Sequence, residues 1–188
     1  MAVEDRVRWD NNYKKKNDKP YPSADPLLKD FTPLADNEAM PRALDLAGGV
    51  GQNGLWLAEQ GYASDIMDIS RVALQRARAE MGMRNLRNAN LLQIDVDKLD
   101  IDPATYDLIC VFRYLKRDLF PFLKEATKPN GRIIYETFNL RYLDVVPQFN
   151  RDFLLEDGEL EGYFSDWQII YSEEEEQHIS QLVAVKPS

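Results

Sequence analysis

Beyond about residue 40, short apolar runs alternate with segments whose apolar positions recur every three to four residues. That alternation predicts strands and helices in turn, and hence an α/β fold with a largely parallel sheet. The strand segments are Arg42 to Ala47, Ala63 to Met67, Leu91 to Ile94, Tyr106 to Phe112 and Arg132 to Phe138. The fourth and fifth are nearly continuous apolar runs, as expected of strands covered on both faces. Between them, Gly51 to Gln60 leads a helical face of Leu55, Ala58 and Tyr62. Ser70 reads as the N-cap of a helix with Leu74, Ala77 and Met81 on one side. A third helix spans Leu119 to Lys128, with Pro121 tolerated in its first turn and a stop and turn at Pro129-Asn130-Gly131. Asp95 to Thr105 has room for a short helix or a loop.

The flanks differ. Two helices are predicted before residue 40, around Asp5 to Lys16 and Pro26 to Leu34, separated by Pro20-Tyr21-Pro22. The C-terminal part holds two strand-like runs, Trp167 to Tyr171 and Ile179 to Val185, which read as an antiparallel hairpin. The connecting Ser172 to His178 contains Glu173 to Glu176, a solvated loop by composition. There is no internal repeat and no linker, so one domain of 188 residues is expected.

Composition narrows the function. Net charge is −9, which repels a phosphate backbone. The one basic run, Lys14-Lys15-Lys16, is flanked by Asp10 and Asp18, so no nucleic-acid partner is expected. No stretch approaches the roughly 18 apolar residues that cross a bilayer, and the charged start is unlike a signal peptide. A cytoplasmic protein without a membrane partner is the expectation. The lone Cys110 sits in an apolar run as a buried thiol, and one Cys with one His forms no familiar metal cluster, so no metal is expected.

The chemistry concentrates at Asp45-Leu46-Ala47-Gly48-Gly49-Val50-Gly51-Gln52-Asn53-Gly54, where the first strand turns into the first core helix. Glycines there allow a tight turn and bring a ligand onto bare backbone, and the helix start offers unpaired N–H groups. Gly49 to Gly54 also spells G-x-G-x-x-G, with Asp68 nineteen residues after Gly49, which is the spacing of a dinucleotide fingerprint. Spacing leaves a nicotinamide and S-adenosylmethionine both open. Asp45 ahead of the glycines favours the latter, because a carboxylate there repels a pyrophosphate yet suits a cationic cofactor. The long segment before the first strand, and the roughly 50 residues after the fifth, are also unlike a dinucleotide dehydrogenase.

Asp45 to Asn53 resembles motif I of class I methyltransferases, closest to the tellurite-resistance and thiopurine-methyltransferase-like branch, whose version runs D-L-A-C-G-T-G-R-N. Asp68-Ile69-Ser70 with Ala73-Leu74 resembles that branch's second motif. Trp9-Asp10-x-x-Tyr13 resembles its W-D-x-x-Y opening. Lys128-Pro129-Asn130-Gly131-Arg132 with Tyr135 to Phe138, and Phe153-Leu154-Leu155 with Gly158-Glu159-Leu160, resemble later segments. Gly48 and Gln52 depart from the branch's cysteine and arginine.

The resemblance implies a Rossmann-like, doubly wound, seven-stranded sheet of order 3-2-1-4-5-7-6, the last strand antiparallel, with helices on both faces. It implies a helical lid over 1–40, a cofactor-binding core over 41–138 and a substrate-side segment with the hairpin over 139–188. The activity implied is S-adenosylmethionine-dependent methyl transfer to a small molecule by in-line displacement, leaving S-adenosylhomocysteine. Readings kept beside it are a non-catalytic module binding either compound, and an NAD-dependent oxidoreductase.

By the same resemblance, Ala47, Gly49, Gly51 and Asn53 lie about the cofactor, with Asp45 supporting the loop. Asp68 takes the ribose hydroxyls, beside Ile69, or else serves as a cap ahead of Ser70. Asp95 and Val96 approach the adenine, unless the Asp95 run is only a solvated loop. Arg113 and Tyr114 follow the fourth strand, where cofactor and substrate edges meet; Tyr114 alternatively packs as a core aromatic. Trp9, Tyr13 and Tyr21 belong to the lid or to its packing. Glu136 faces substrate or solvent and is the candidate base, and Arg141 and Tyr142 reach toward the acceptor.

Overall fold

The computed structural model describes residues 2–16, 18–35, 40–174 and 178–188. The seven strands follow the order 3-2-1-4-5-7-6 in one mixed sheet. The chain forms two compact units, residues 1–101 and 102–188.

In the first unit, β1 (Arg42–Leu46), β2 (Ala63–Asp68) and β3 (Ala89–Gln93) pair in parallel, with Asp45 opposite Ile66 and Asp68 opposite Gln93. Helices α3 (Gln52–Glu59) and α4 (Arg71–Met83) return the chain between them. Their predicted apolar faces meet the sheet: Leu55, Ala58, Ile66, Leu74 and Ala89 form one buried cluster, with Tyr21, Met81 and Leu91 packed on it. The Ser70 cap is present, its Oγ accepting from the Ala73 N–H at 3.1 Å. Before the sheet lie α1 (Ala2–Lys14) and α2 (Pro26–Phe31). The latter is shorter than its apolar pattern predicts: Thr32 precedes Pro33, and the ring of a proline pushes the residue before it out of the helical region. Thr32 is accordingly extended, at φ −74° and ψ 123°.

In the second unit, β4 (Tyr106–Phe112) pairs in parallel with β5 (Thr127–Phe138). Strand β7 (Ile179–Val185) is antiparallel to β5, and β6 (Gln168–Glu173) is antiparallel to β7. The short helices α5 (Phe120–Ala126) and α6 (Glu159–Tyr163) complete it. Cys110 is buried within β4.

One expectation fails here. Pro129-Asn130-Gly131 does not end an element; it is a bulge inside β5, where pairing jumps from Tyr106–Thr127 to Leu108–Arg132. Asn130 takes a left-handed φ of 62°. Its N–H donates to the Lys186 carbonyl at 3.0 Å and the Lys186 N–H returns to Gly131 O at 2.9 Å, so the turn residues stay in the sheet. Of the predicted glutamate loop, Glu175 and Glu176 lie outside the described residues.

Candidate functional site

In the first unit the site begins at the carboxyl ends of β1 and β2. Past β1 the backbone is left-handed at Ala47 (φ 53°), Gly49 (φ 59°) and Gly51 (φ 81°). Each such turn costs a side-chain-bearing residue about 1–2 kcal/mol, which is why two of the three are glycine. Two carboxylates hold this loop. Asp45, 1% exposed, accepts from the Gly54 N–H at 2.8 Å and so satisfies the start of α3. Asp68 Oδ2 accepts from the Gly49 N–H at 2.8 Å, while Oδ1 accepts from the Ser70 N–H at 2.7 Å. Asp68 therefore joins the glycine turn to the start of α4, which is the capping-type contact, and it does so from the end of β2 beside the glycine loop. Burial pushes its carboxyl above the usual carboxylate range, against the backbone hydrogen bonds from Ser70 and Gly49 that favour the charged form.

The glycines serve different ends. A Cβ on Gly51 would press on Ala77 Cβ at 3.1 Å and Ile66 Cδ1 at 3.2 Å, so this glycine lets α3 pack onto β2 and α4. A Cβ on Gly49 would instead collide with the Tyr13 hydroxyl, with Tyr13 Cζ at 3.2 Å. Bare backbone at Gly49 thus faces α1. Burial raises the Tyr13 phenol, and the nearby Asp68 and Asp45 raise it further, so it stays protonated.

Helix α1 is fastened beside Asp68. Asp10 Oδ1 accepts from Ser70 Oγ at 2.7 Å and from the Val72 N–H at 3.1 Å. Arg76 donates to the carbonyls of Lys16 and Lys19. The Tyr21 hydroxyl donates to Val50 O at 2.6 Å within the glycine loop, and the Tyr21 ring lies under Arg76 and Arg84. Asn53, 2% exposed, accepts from the Asp25 N–H at 2.9 Å and anchors the approach to α2. Trp9 lies 6.1 Å from Tyr13, ring to ring, with Arg8 over its face. Asp10 belongs to the W-D-x-x-Y segment, but its contact with α4 is invisible to spacing.

Beyond Asp68 lies a cavity of about 290 Å³ lined by Val3, Arg6, Ile69, Gln93, Ile94, Asp95 and Lys98. It unites Ile69 with Asp95, which the sequence assigned to the same cofactor. Asp95 also caps the following 3-10 turn by accepting from the Asp97 N–H. Val96 lies in that turn and is not among the residues lining the cavity.

The second unit gathers the remaining candidates. Glu136 is 2% exposed, not solvent-facing as its position at the strand end suggests. Its Oε1 pairs with the Arg113 guanidinium and its Oε2 accepts from Gln181 Nε2. Arg113 has a left-handed φ of 58°, and its N–H donates to Glu136 O at 2.7 Å. Such a conformation costs about 1–3 kcal/mol and persists where surrounding contacts enforce it. The guanidinium also lies over Phe138, 5.6 Å from the ring centre. Phe138 stacks on Tyr142 at 4.2 Å, and Phe149 meets both edge-on. Arg141 forks onto Asp157 and reaches the Glu174 carbonyl, so it braces the 140–157 segment. The Tyr114 carbonyl accepts from the Tyr135 hydroxyl at 2.8 Å. Gln181, Phe138 and Phe149 are absent from the sequence-based site; a glutamine inside the apolar run Ile179 to Val185 was the available signal.

Among the described residues no cluster of three or more His, Cys, Asp or Glu suits a metal, and no helix is long and apolar enough to cross a membrane.

A sheet of order 3-2-1-4-5-7-6 with one antiparallel strand, a glycine turn after β1 and an acid closing β2 places the protein in the class of S-adenosylmethionine-dependent methyltransferases. Solved structures agree in fold. A methyltransferase complexed with the Trm112 activator from Haloferax volcanii matches at TM-score 0.77 and 16% identity, over 100% of this chain and 98% of that one. An S-adenosylmethionine-dependent methyltransferase from Mesorhizobium loti matches at 0.70 and 18%, over 86% and 96%. TehB from Haemophilus influenzae matches at 0.68 and 18%, over 95% and 67%. The chain belongs to the tellurite resistance protein TehB family, whose model matches residues 34–183. No curated protein sequence matches it.

Proposed function

We propose that the protein transfers the methyl group of S-adenosylmethionine to a small-molecule acceptor, and that the cofactor is held through Asp68 and the Gly49 turn. The observation that carries this reading is the Asp68 carboxylate bonded to the Gly49 N–H at 2.8 Å, which sets the acid of β2 directly against the bare glycine loop. A carboxylate offers about four lone-pair positions, and the two backbone donors occupy two, so acceptor capacity remains for a ribose diol. The acceptor positions left on Asp68 fit the cofactor's ribose, while the face bared at Gly49 is filled by the Tyr13 hydroxyl of α1. Ile69 and Asp95, which both line the 290 Å³ cavity, suit an adenine: an apolar contact and an acceptor for an exocyclic amine.

Held by Asp68 and the glycine turn, S-adenosylmethionine would supply a sulfonium-activated methyl for the acceptor's lone pair, with the electron pair of the carbon–sulfur bond left on sulfur. The protein's share is positioning and exclusion of water. Asp45 and Asp68 fix the loop, while Tyr13 and Asp10 hold α1 across it. Arg113, Tyr114, Arg141 and Tyr142 belong to the acceptor-side residues. The one-domain organisation, with residues 1–40 as lid, and a cytoplasmic location are part of the same reading.

Calorimetric titration with S-adenosylmethionine, S-adenosylhomocysteine and NADH tests it. Micromolar binding of the first two alone is expected. Binding of NADH alone would overturn the proposal, and binding without turnover over a broad acceptor panel would mark a non-catalytic module.

A further inference from the structure

We infer that Arg113 is the receptor for a negatively charged group on the acceptor, and that Glu136 is its positioning residue rather than a general base. The inference deepens the methyl-transfer reading and rests on it. Glu136 is 2% exposed, and both of its oxygens are engaged, one by the Arg113 guanidinium and one by Gln181. Its burial and the paired cation, rather than a lack of lone pairs, withhold this carboxylate from a substrate proton.

The Arg113 side chain, by contrast, remains 44% exposed. Three constraints fix it at once: the guanidinium bond to Glu136, the left-handed backbone with its N–H on Glu136 O, and the Phe138 ring beneath. Guanidinium is a planar fork that matches a carboxylate or a phosphate, and a fixed fork loses little freedom on binding. Around it, Phe138, Tyr142 and Phe149 form a half-buried aromatic surface. An exposed cation beside aromatic rings recognises an organic anion with a flat apolar body.

The test uses the full chain saturated with S-adenosylhomocysteine, with benzoate and neutral benzamide as probes in calorimetry. Benzoate should bind at least tenfold more tightly than benzamide. The double variant Arg113→Gln/Glu136→Gln, which leaves no lone buried charge, should bring that ratio to about one while S-adenosylhomocysteine binding persists. Glu136→Gln alone separates positioning from charge. It leaves the cation less neutralised, so charge alone predicts tighter benzoate binding, whereas lost orientation predicts a fall of threefold or more. Equal binding of the two probes, an unchanged ratio in the double variant, or tighter benzoate binding in Glu136→Gln would each overturn the inference. Should Glu136→Gln not fold, the double variant decides. Failure of the wild type to bind S-adenosylhomocysteine would instead sink the methyl-transfer reading itself.

Discussion

The Asp10 carboxylate of α1 accepts a 2.7 Å hydrogen bond from the Ser70 hydroxyl, two residues beyond the Asp68 that grips the glycine turn. The N-terminal helix is thereby tied to the turn that carries the proposed ribose acid. Burial raises the Asp10 carboxyl, but the Ser70 and Val72 hydrogen bonds, with Lys14 and Arg6 nearby, bring it below the usual range. It is therefore charged at neutral pH. Asp10→Ala removes a cap-type acceptor, a loss of about 0.5–2 kcal/mol. Hydrogen exchange should show faster exchange of the α1 amides, with α4 protected beyond its first turn. Unchanged α1 protection would show that Asp10 does not hold the helix.

The contact between Gly49 and Tyr13 can be tested as a pair. Gly49→Ala adds a left-handed cost of about 1–2 kcal/mol and drives the new methyl into the Tyr13 hydroxyl. Deleting that hydroxyl relieves the clash but not the backbone cost. Tyr13→Phe should therefore recover part of the stability lost in Gly49→Ala, measured as non-additivity in thermal melts. Strict additivity would mean that α1 does not lie on the glycine.

The core was legible because its information is periodic. Leu55, Ala58, Leu74 and Ala77 mark helix faces and are buried, and β4 is apolar but for Asp107, with Leu108 to Val111 buried. The glycine turn was legible because a left-handed backbone demands particular residues. Contacts between segments distant in sequence were not. Asp10 with Ser70, and Glu136 with Arg113 and Gln181, join residues 60, 23 and 45 positions apart. Nothing local in the chain announces them. The bulge at Asn130 was misread because turn-forming residues also serve irregular strands, and only the Lys186 hydrogen bonds distinguish the cases.

Cofactor affinity should fall on acidification from a higher pH than an ordinary aspartate, near 3.9, would produce. Asp68 is raised chiefly by burial, and its protonation removes acceptor capacity toward the ribose. The linked stability has the opposite sign. The folded state holds this proton more tightly than the unfolded one, so the charged form costs stability above the folded pKa. That cost is relieved as pH falls through the folded pKa toward the unfolded value. Asp68→Ala should weaken S-adenosylhomocysteine binding by about 1.5–3 kcal/mol at neutral pH and flatten its acid dependence. Calorimetry at a series of pH values checks both, and an unchanged affinity in a folded variant would remove Asp68 from the cofactor site.

Removing Arg113 alone should damage the fold more than removing both partners. Arg113→Ala leaves Glu136 at 2% exposure with only Gln181 to meet its charge. Breaking a fully buried pair costs about 3–5 kcal/mol. Because this guanidinium is 44% exposed and partly screened, about 2–3 kcal/mol is expected. For a chain of this size each kcal/mol moves the melting temperature by about 2–4 °C, so a fall of roughly 4–12 °C should follow. The Arg113→Gln/Glu136→Gln double variant should recover most of it, because neither member of the pair is left ionised without its partner. If Arg113→Ala melts with the wild type, the pair contributes nothing to the fold, and the left-handed turn at Arg113 must be held by its backbone contact to Glu136 alone.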